Sequence, residues 1–276
     1  MKICTDPKEM QSLALSVRRE GKKIGFVPTM GFLHEGHASL IRIARSQCDF
    51  LVVSIFVNPL QFGENEDLDT YPKDNEADER LCSDEGVDLI FRPQSLYDEK
   101  HNTYVHVEQL TERLCGASRP THFRGVCTVV ARLFGLVQPN IAVFGEKDYQ
   151  QLAVIRQFVR DLAMPIKIIG APLIRDNDGV ALSSRNQYLN PEQRIRAQTI
   201  SQALFSVQAE LKHTSLDVHT IRQLVRQILT VDELDYLECV DPVFLNPVTN
   251  IDKPTRLLIA AWVGQTRLID NILLEP

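Results

Sequence analysis

Between Ile24 and Ala44 the chain changes its hydrophobic period, and that change limits the fold more than any other feature of the sequence. The apolar run Ile24-Gly25-Phe26-Val27 reads as a buried strand, breaks at Pro28 and Gly31, and resumes as Ala38-Ser39-Leu40-Ile41-Arg42-Ile43-Ala44 with helical spacing. A strand, loop and helix in that order are the first half of a βαβ unit. The loop ends on a helix N-terminus, where free backbone N–H groups and the positive end of the helix dipole favour an anion, most simply a phosphate. His34 and His37 stand there three residues apart, on one face of a helix that begins near His34. Gly36 between them leaves room for a ligand to approach the backbone. Two other readings of the histidines are a zinc site and a pair of ordinary surface residues. No Cys-x-x-Cys accompanies them, and Glu35 points elsewhere on the helix.

The pattern of strand, loop and helix returns along the first two thirds of the chain. Phe50 to Val57 is an unbroken apolar run, as in the middle of a parallel sheet, and stops at Asn58-Pro59. The acidic, turn-rich segment Leu60 to Pro72 then lies at the carboxyl end of that strand, the edge where open α/β sheets bind ligands. A polar helix from Lys73 to about Glu85 and a strand Val87–Phe91 continue the alternation. Tyr104–Val107 alternates like a strand, and Gly116–Gly125 reads as a loop feeding a helix Val126–Val137, whose Val126, Val129 and Val130 either line a small apolar pocket or simply fill the core. A buried strand Ile141–Phe144 and the loop Gly145–Gln151 place Lys147 and Asp148 at the same edge as the histidines. After a strand Ile166–Ile174, Ser183, Ser184 and Arg185 offer two hydroxyls and a fixed positive charge, which suit phosphate oxygens. An opening helix after Asp6-Pro7 is expected to bury Met10, Leu13, Leu15 and Val17.

From Pro191 the character changes to two amphipathic helices, about Glu192–His213 and Asp217–Leu229, followed by strands Leu234–Val240, Arg256–Val263 and Thr266–Leu274, the last two joined at Gly264-Gln265. The expected class is α/β, with a Rossmann-like parallel sheet over residues 1–184 and a smaller α+β C-terminal domain over 185–276. With 276 residues, 44% of them hydrophobic, the chain can fill both cores. A net charge of −6 supplies no basic field for a nucleic-acid backbone, so a nucleic-acid partner is not expected. Without an apolar signal core or membrane-length run, a cytoplasmic location is expected. Six cysteines without paired spacing read as buried, reduced thiols.

His-x-Gly-His after a strand is the signature of the nucleotidylyl-transferase superfamily. Taken with Pro28-Thr29-Met30-Gly31, Ile55-Phe56-Val57-Asn58-Pro59 and Gln61-Phe62, Arg119-Pro120 and His122-Phe123, Phe144 to Asp148 and Gln150-Gln151, and Leu182 to Asn186, the chain resembles the pantothenate synthetases (pantoate–beta-alanine ligases) from Lys23 to the final strands. The resemblance implies a two-step reaction: pantoate and MgATP give pantoyl adenylate and pyrophosphate, and beta-alanine then releases pantothenate and AMP. It implies ATP contacts at Met30, Gly31, Phe32, Leu33, His34, Glu35, Gly36 and His37, at Gly145, Glu146, Lys147 and Asp148, and at Ile174, Leu182, Ser183, Ser184 and Arg185. His34, His37, Lys147, Ser183 and Arg185 are the catalytic candidates, since negative charge grows on the leaving pyrophosphate. Gln61 and Gln151 would bind pantoate, Gln61 also beta-alanine, and the Val126 face the pantoate methyls. Mg2+ would enter bound with the phosphates, with no protein ligand assigned from the sequence, and the assembly implied is a homodimer. A transferase acting on a phosphorylated substrate would need further basic residues, where Gln61 and Gln151 are neutral. A non-catalytic nucleotide-binding protein would have no use for polar groups in all three loops.

Overall fold

Among the described residues nine strands divide into two sheets, and the division follows the change of pattern along the chain. The computed structural model describes residues 1–64 and 66–276; Asn65, part of the acidic loop read from the sequence, lies outside them. The first sheet holds β1 (Lys2–Cys4), β2 (Ile24–Thr29), β3 (Phe50–Ile55), β4 (Leu89–Phe91), β5 (Ile141–Gly145) and β6 (Lys167–Ala171) in the order β1-β4-β3-β2-β5-β6, with every pair parallel. Its helices are α1 (Pro7–Arg19), α2 (Glu35–Arg45), α3 (Asn75–Asp84), the short α4 (Cys115–Ser118), α5 (His122–Val137) and α6 (Tyr149–Asp161). Alternate strand residues face opposite cores. Phe26, Val52, Leu89 and Ala142 pack with α1, α5 and α6, whereas Val27, Val53, Ile90 and Val143 pack with α2 and α3. A sheet covered on both faces explains why its strands read as continuous apolar runs.

The order of strands decides where a ligand can sit. From β2 the chain winds outward through β3 to β4, then returns to the other side of β2 with β5 and β6. The turns leaving β2 and β5 therefore diverge from adjacent strands, and a crevice opens between them at the carboxyl edge. The second sheet, β7 (Glu233–Val240), β8 (Thr255–Val263) and β9 (Thr266–Leu274), is antiparallel with β8 central, and packs beneath α7 (Pro191–Leu211) and α8 (Val218–Ile228). The fold is thus α/β, a Rossmann-like parallel sheet with a smaller C-terminal α+β unit. Among the described residues no helix is long and apolar enough to cross a membrane. The six cysteines are free, five of them buried and Cys48 partly so.

Several local expectations are corrected. Tyr104–Val107 forms no strand: the Val105 N–H bonds the Thr128 hydroxyl at 3.1 Å rather than another backbone. The helix expected from Val126 begins at His122, and α4 forms inside the stretch read as a loop. β6 stops at Ala171 because Pro172 cannot donate to the ladder, which frees Leu173 and Ile174 to turn inward. Asp74 caps α3 by accepting from the Ala77 N–H at 3.0 Å, so that helix starts at Asn75, two residues later than expected. On α1 the buried stripe is Met10, Ala14 and Val17, and Leu15 is 41% exposed. The three-residue β1 escaped notice because so short a strand has no period to detect.

Candidate active site

The loop after β2 is shaped by two residues in the left-handed region, Gly31 (φ +88°) and Phe32 (φ +52°). A Cβ on Gly31 would lie 2.9 Å from the Ile55 side chain, so the position excludes larger residues on space as well as on φ. The turn delivers the Phe32 and Leu33 N–H groups to the Asp78 carboxylate on α3, at 3.0 and 2.6 Å. Asp78 is 1% exposed, and its burial raises the pKa against the lowering effect of those two bonds. The sequence reading missed it because an acidic residue on a polar helix looks like solvated surface.

The two histidines close the N-terminus of α2. His34 is the N-cap, its Nδ1 accepting from the Gly36 N–H at 3.1 Å, and His37 at the third helical position accepts from the His34 N–H at 3.3 Å. A Cβ on Gly36 would stand 2.9 Å from the His34 ring. The space at Gly36 therefore serves the imidazole as well as any ligand. The N–H groups of Phe32, Leu33, His34 and Gly36 are already engaged, so an anion beside this helix meets imidazole as well as the remaining backbone donors. Both Nδ1 atoms act as acceptors, which puts each ring proton on Nε2. Burial, reinforced by the Lys147 charge, holds His34 at about 4; burial, with His34 and Lys147, holds His37 at about 3. Two neutral N–H donors result, with ring centroids 4.1 Å apart.

A cavity of about 250 Å³ runs from these rings across the sheet edge. It brings together Met30, His34, Gly36, His37, Gln61, Gly145, Lys147, Asp148, Gln151, Ile174, Leu182, Ser183, Ser184 and Arg185 from four separate loops. Gly31, Phe32, Leu33, Glu35 and Glu146 do not line it: the first three build the turn, Glu35 pairs with Arg42, and Glu146 pairs with Arg256 at 3.3 Å. Ser183 caps the 3-10 turn Ser184–Tyr188 through the Arg185 N–H, and the Arg185 guanidinium is held in a fork by Asp67 at 3.0 and 2.6 Å. Lys147 has a looser partner in Asp148, at 3.6 Å. The backbone carbonyls of Glu146 and Lys147 accept from the buried Asn271 amide on β9 at 2.8 and 3.0 Å, so the C-terminal sheet braces the lysine loop.

Part of the cavity lining is apolar. Val126, Val129 and Val130 of α5, together with Leu133 and Phe144, form its wall, and the three valines are also buried in the core, so both readings of that face hold. The adjacent glutamines divide by register on α6. Gln150 points inward and is consumed by the Cys115 N–H and the Leu110 and Arg113 carbonyls at 2.7–3.0 Å, whereas Gln151 lines the cavity. Gln61 sits on the 3-10 turn Pro59–Gln61, its backbone carbonyl 3.0 Å from His122 Nδ1. His122, Arg119 and Asn58 also line the cavity. The sequence motifs contained them but did not distinguish their roles.

The family model described as pantoate-beta-alanine ligase matches residues 2–273. A pantothenate synthetase of Desulfatibacillum aliphaticivorans is 51% identical over 281 residues, covering 100% of both chains, and one of Sulfurihydrogenibium sp. (strain YO3AOP1) is 49% identical over 278 residues and 99% of each. The crystal structure of pantothenate synthetase from Thermus thermophilus superposes with a TM-score of 0.93 at 44% identity, covering 100% of both chains. A crystal structure of the pantoate-beta-alanine ligase of Francisella tularensis, complexed with beta-gamma ATP and beta-alanine, gives a TM-score of 0.81 at 34% identity over 99% of this chain and 97% of that one.

Proposed function

The chain belongs to the pantoate–beta-alanine ligase family, and from that premise we propose that it makes pantothenate from pantoate, beta-alanine and ATP through a pantoyl-adenylate intermediate. The observation that supports this reading is one cavity lined both by neutral donors and a lysine, which suit phosphates, and by a small apolar wall with two amides. A pantoate carboxylate oxygen attacks the α-phosphorus of ATP, the bond to the bridging oxygen breaks, and pyrophosphate leaves. The His34 and His37 Nε2–H groups donate to phosphate oxygens whose charge grows in that step, and Lys147 adds a cation beside them. Ser183, Ser184 and Arg185 bind the departing phosphates. Gln61 and Gln151 take the pantoate oxygens as neutral partners, which leaves the carboxylate nucleophilic, and the valine wall of α5 receives the geminal methyls. Beta-alanine, held at Gln61, then attacks the acyl carbon through its nitrogen, loses a proton, and expels AMP.

Mg2+ fits this site as an ion carried by the triphosphate, where it would neutralise charge on the phosphates: it prefers phosphate oxygens with one or two carboxylates, and Asp148, the carboxylate among the described lining residues, is the side chain that would hold it. Homodimeric assembly, a cytoplasmic location and a division into a substrate domain 1–184 and a lid domain 185–276 belong to the same proposal and rest on the family likeness and the sequence pattern.

The test is isotope exchange between pyrophosphate and ATP without beta-alanine. Exchange that requires pantoate, with carboxylate 18O from pantoate recovered in AMP after beta-alanine is added, is the expected result. Exchange that appears only with beta-alanine present would end the adenylate reading.

A further inference from the structure

The Gln61 amide faces the cavity with a polarity that the fold dictates. Its neighbour Asn58 is 1% exposed, and both ends of the Asn58 amide are engaged. Asn58 Nδ2 lies 3.1 Å from the Gly125 carbonyl, a group that can only accept, and Asn58 Oδ1 lies 3.4 Å from the Leu60 N–H, which can only donate. Two backbone groups therefore decide which end of the Asn58 amide is which. With Oδ1 so placed, the Tyr97 hydroxyl donates to it at 2.9 Å, and the second Nδ2 hydrogen goes to Gln61 Oε1 at 3.0 Å. The Gln61 carbonyl oxygen is thereby engaged from behind. Its Nε2 is left against Met30 Sδ at 3.2 Å, a weak acceptor that a substrate oxygen can replace with gain.

We propose that Tyr97 and Asn58 are positioning residues that lock Gln61 as an N–H donor toward a substrate oxygen, so that the cavity selects an acceptor at that point. Tyr97 is not among the described residues lining the cavity and acts only through Asn58. It is well suited to a fixed role. Its ring packs against Phe56 and His101, with centroids at 6.3 and 4.7 Å, and Arg132 lies 5.9 Å from its centroid. Burial pushes its phenol up to about 12, so the hydroxyl keeps its proton across the working range. From the backbone of α5 outward, polarity passes from Gly125 through Asn58 to Gln61, and Tyr97 removes the one remaining freedom of the Asn58 oxygen. An amide turned the other way would present a carbonyl to pantoate and repel its carboxylate.

The inference rests on the reading of Gln61 as a pantoate ligand, and a double-mutant cycle separates the two. KM for pantoate and for ATP are measured on wild type, Tyr97→Phe, Gln61→Ala and the double variant. The expected result is an approximately 3- to 10-fold rise in pantoate KM for Tyr97→Phe with ATP KM unchanged, from loss of one hydrogen bond, and no further rise when Tyr97→Phe is added to Gln61→Ala. A Tyr97→Phe effect of equal size in the Gln61→Ala background, or none in wild type, overturns the positioning role alone. An unchanged pantoate KM in Gln61→Ala overturns the ligand reading and this inference with it. Tyr97→Phe keeps the partly buried ring, so its fold survives to be measured.

Discussion

Under the proposed function His37 has two jobs that substitution can separate. Its Nδ1 accepts from the His34 N–H at 3.3 Å, a long capping bond, and its Nε2–H faces the cavity. Replacing it with Ala removes both. The cap is worth about 0.5–1 kcal/mol of stability, whereas one donor aimed at developing charge is worth about 10²–10³ in rate, or about 2.7–4 kcal/mol. The catalytic loss should therefore greatly exceed the loss of stability. His37→Asn keeps an acceptor near the Nδ1 position but has no donor where Nε2 stood, so it should melt like wild type and form adenylate almost as slowly as His37→Ala. His37→Gln reaches back to the His34 N–H with its carbonyl, as glutamine does in capping boxes, and turns its amide outward, so it should recover much of the rate. Rapid-quench measurement of pyrophosphate release in a single turnover, with a thermal melt on the same preparations, reads both quantities. Wild-type release by His37→Asn would refute the donor argument. So would an equal slowing of the second half-reaction when preformed pantoyl adenylate is supplied.

Other consequences follow from the same geometry. Gln151→Ala should weaken pantoate far more than ATP, and Lys147→Ala the reverse, as read by calorimetric titration of ATP and then of pantoate with a non-hydrolysable ATP analogue; collapse of ATP binding with pantoate retained in Gln151→Ala would assign that loop to the nucleotide alone. Because His34 and His37 stay neutral down to about 4 and 3, kcat/KM for ATP should show no acid limb near pH 6.5 from these rings, and such a limb that vanishes in His37→Gln would contradict the assigned protonation. Their effect on stability has a definite sign: the unfolded chain binds protons at these residues near 6.5 and the native chain does not, so urea unfolding should show stability rising with pH from about 4 to 6.5 and level above it.

How much of this was legible depended on whether the cause was local. The β2-loop-α2 unit, the Phe50 run and the closing hairpin at Gly264 could be read because period, breaker and turn residue all lie within a few positions. The sheet order could not, since nothing local to β5 says that it returns beside β2 rather than continuing past β4. The same boundary runs through the site. His34, His37, Lys147 and Ser183 announce themselves as chemical groups beside a strand end. Asp78, Asn271 and Asn58 act through bonds to backbone 45, 124 and 67 positions away respectively, and their own neighbours in sequence contain no hint of those partners. Gln150 and Gln151 are the sharpest case. They are identical in type and adjacent in sequence, yet helix register alone sends one into the core and the other into the cavity.

Charge pairing around the cavity suggests an order among its cations. Arg185 is forked to Asp67, Arg119 is forked to Glu66 at 2.6 and 2.5 Å, and Lys147 keeps only a loose contact with Asp148, whose side chain is 48% exposed. A forked, partly buried guanidinium can turn to a phosphate only by giving up one oxyanion for another, an exchange with little net electrostatic gain. Lys147 gives up almost nothing. Under the proposed function the first attraction of the triphosphate therefore falls to Lys147, and the neutral imidazole donors add direction without requiring a counter-ion to be displaced. Arg185 contributes once the phosphate competes successfully with Asp67, which is most favourable when negative charge is greatest, on the departing pyrophosphate. Under the proposed function, a chain with a net charge of −6 would thus meet a polyanion with its cavity arginines paired at rest and neutral N–H groups at the reacting phosphate.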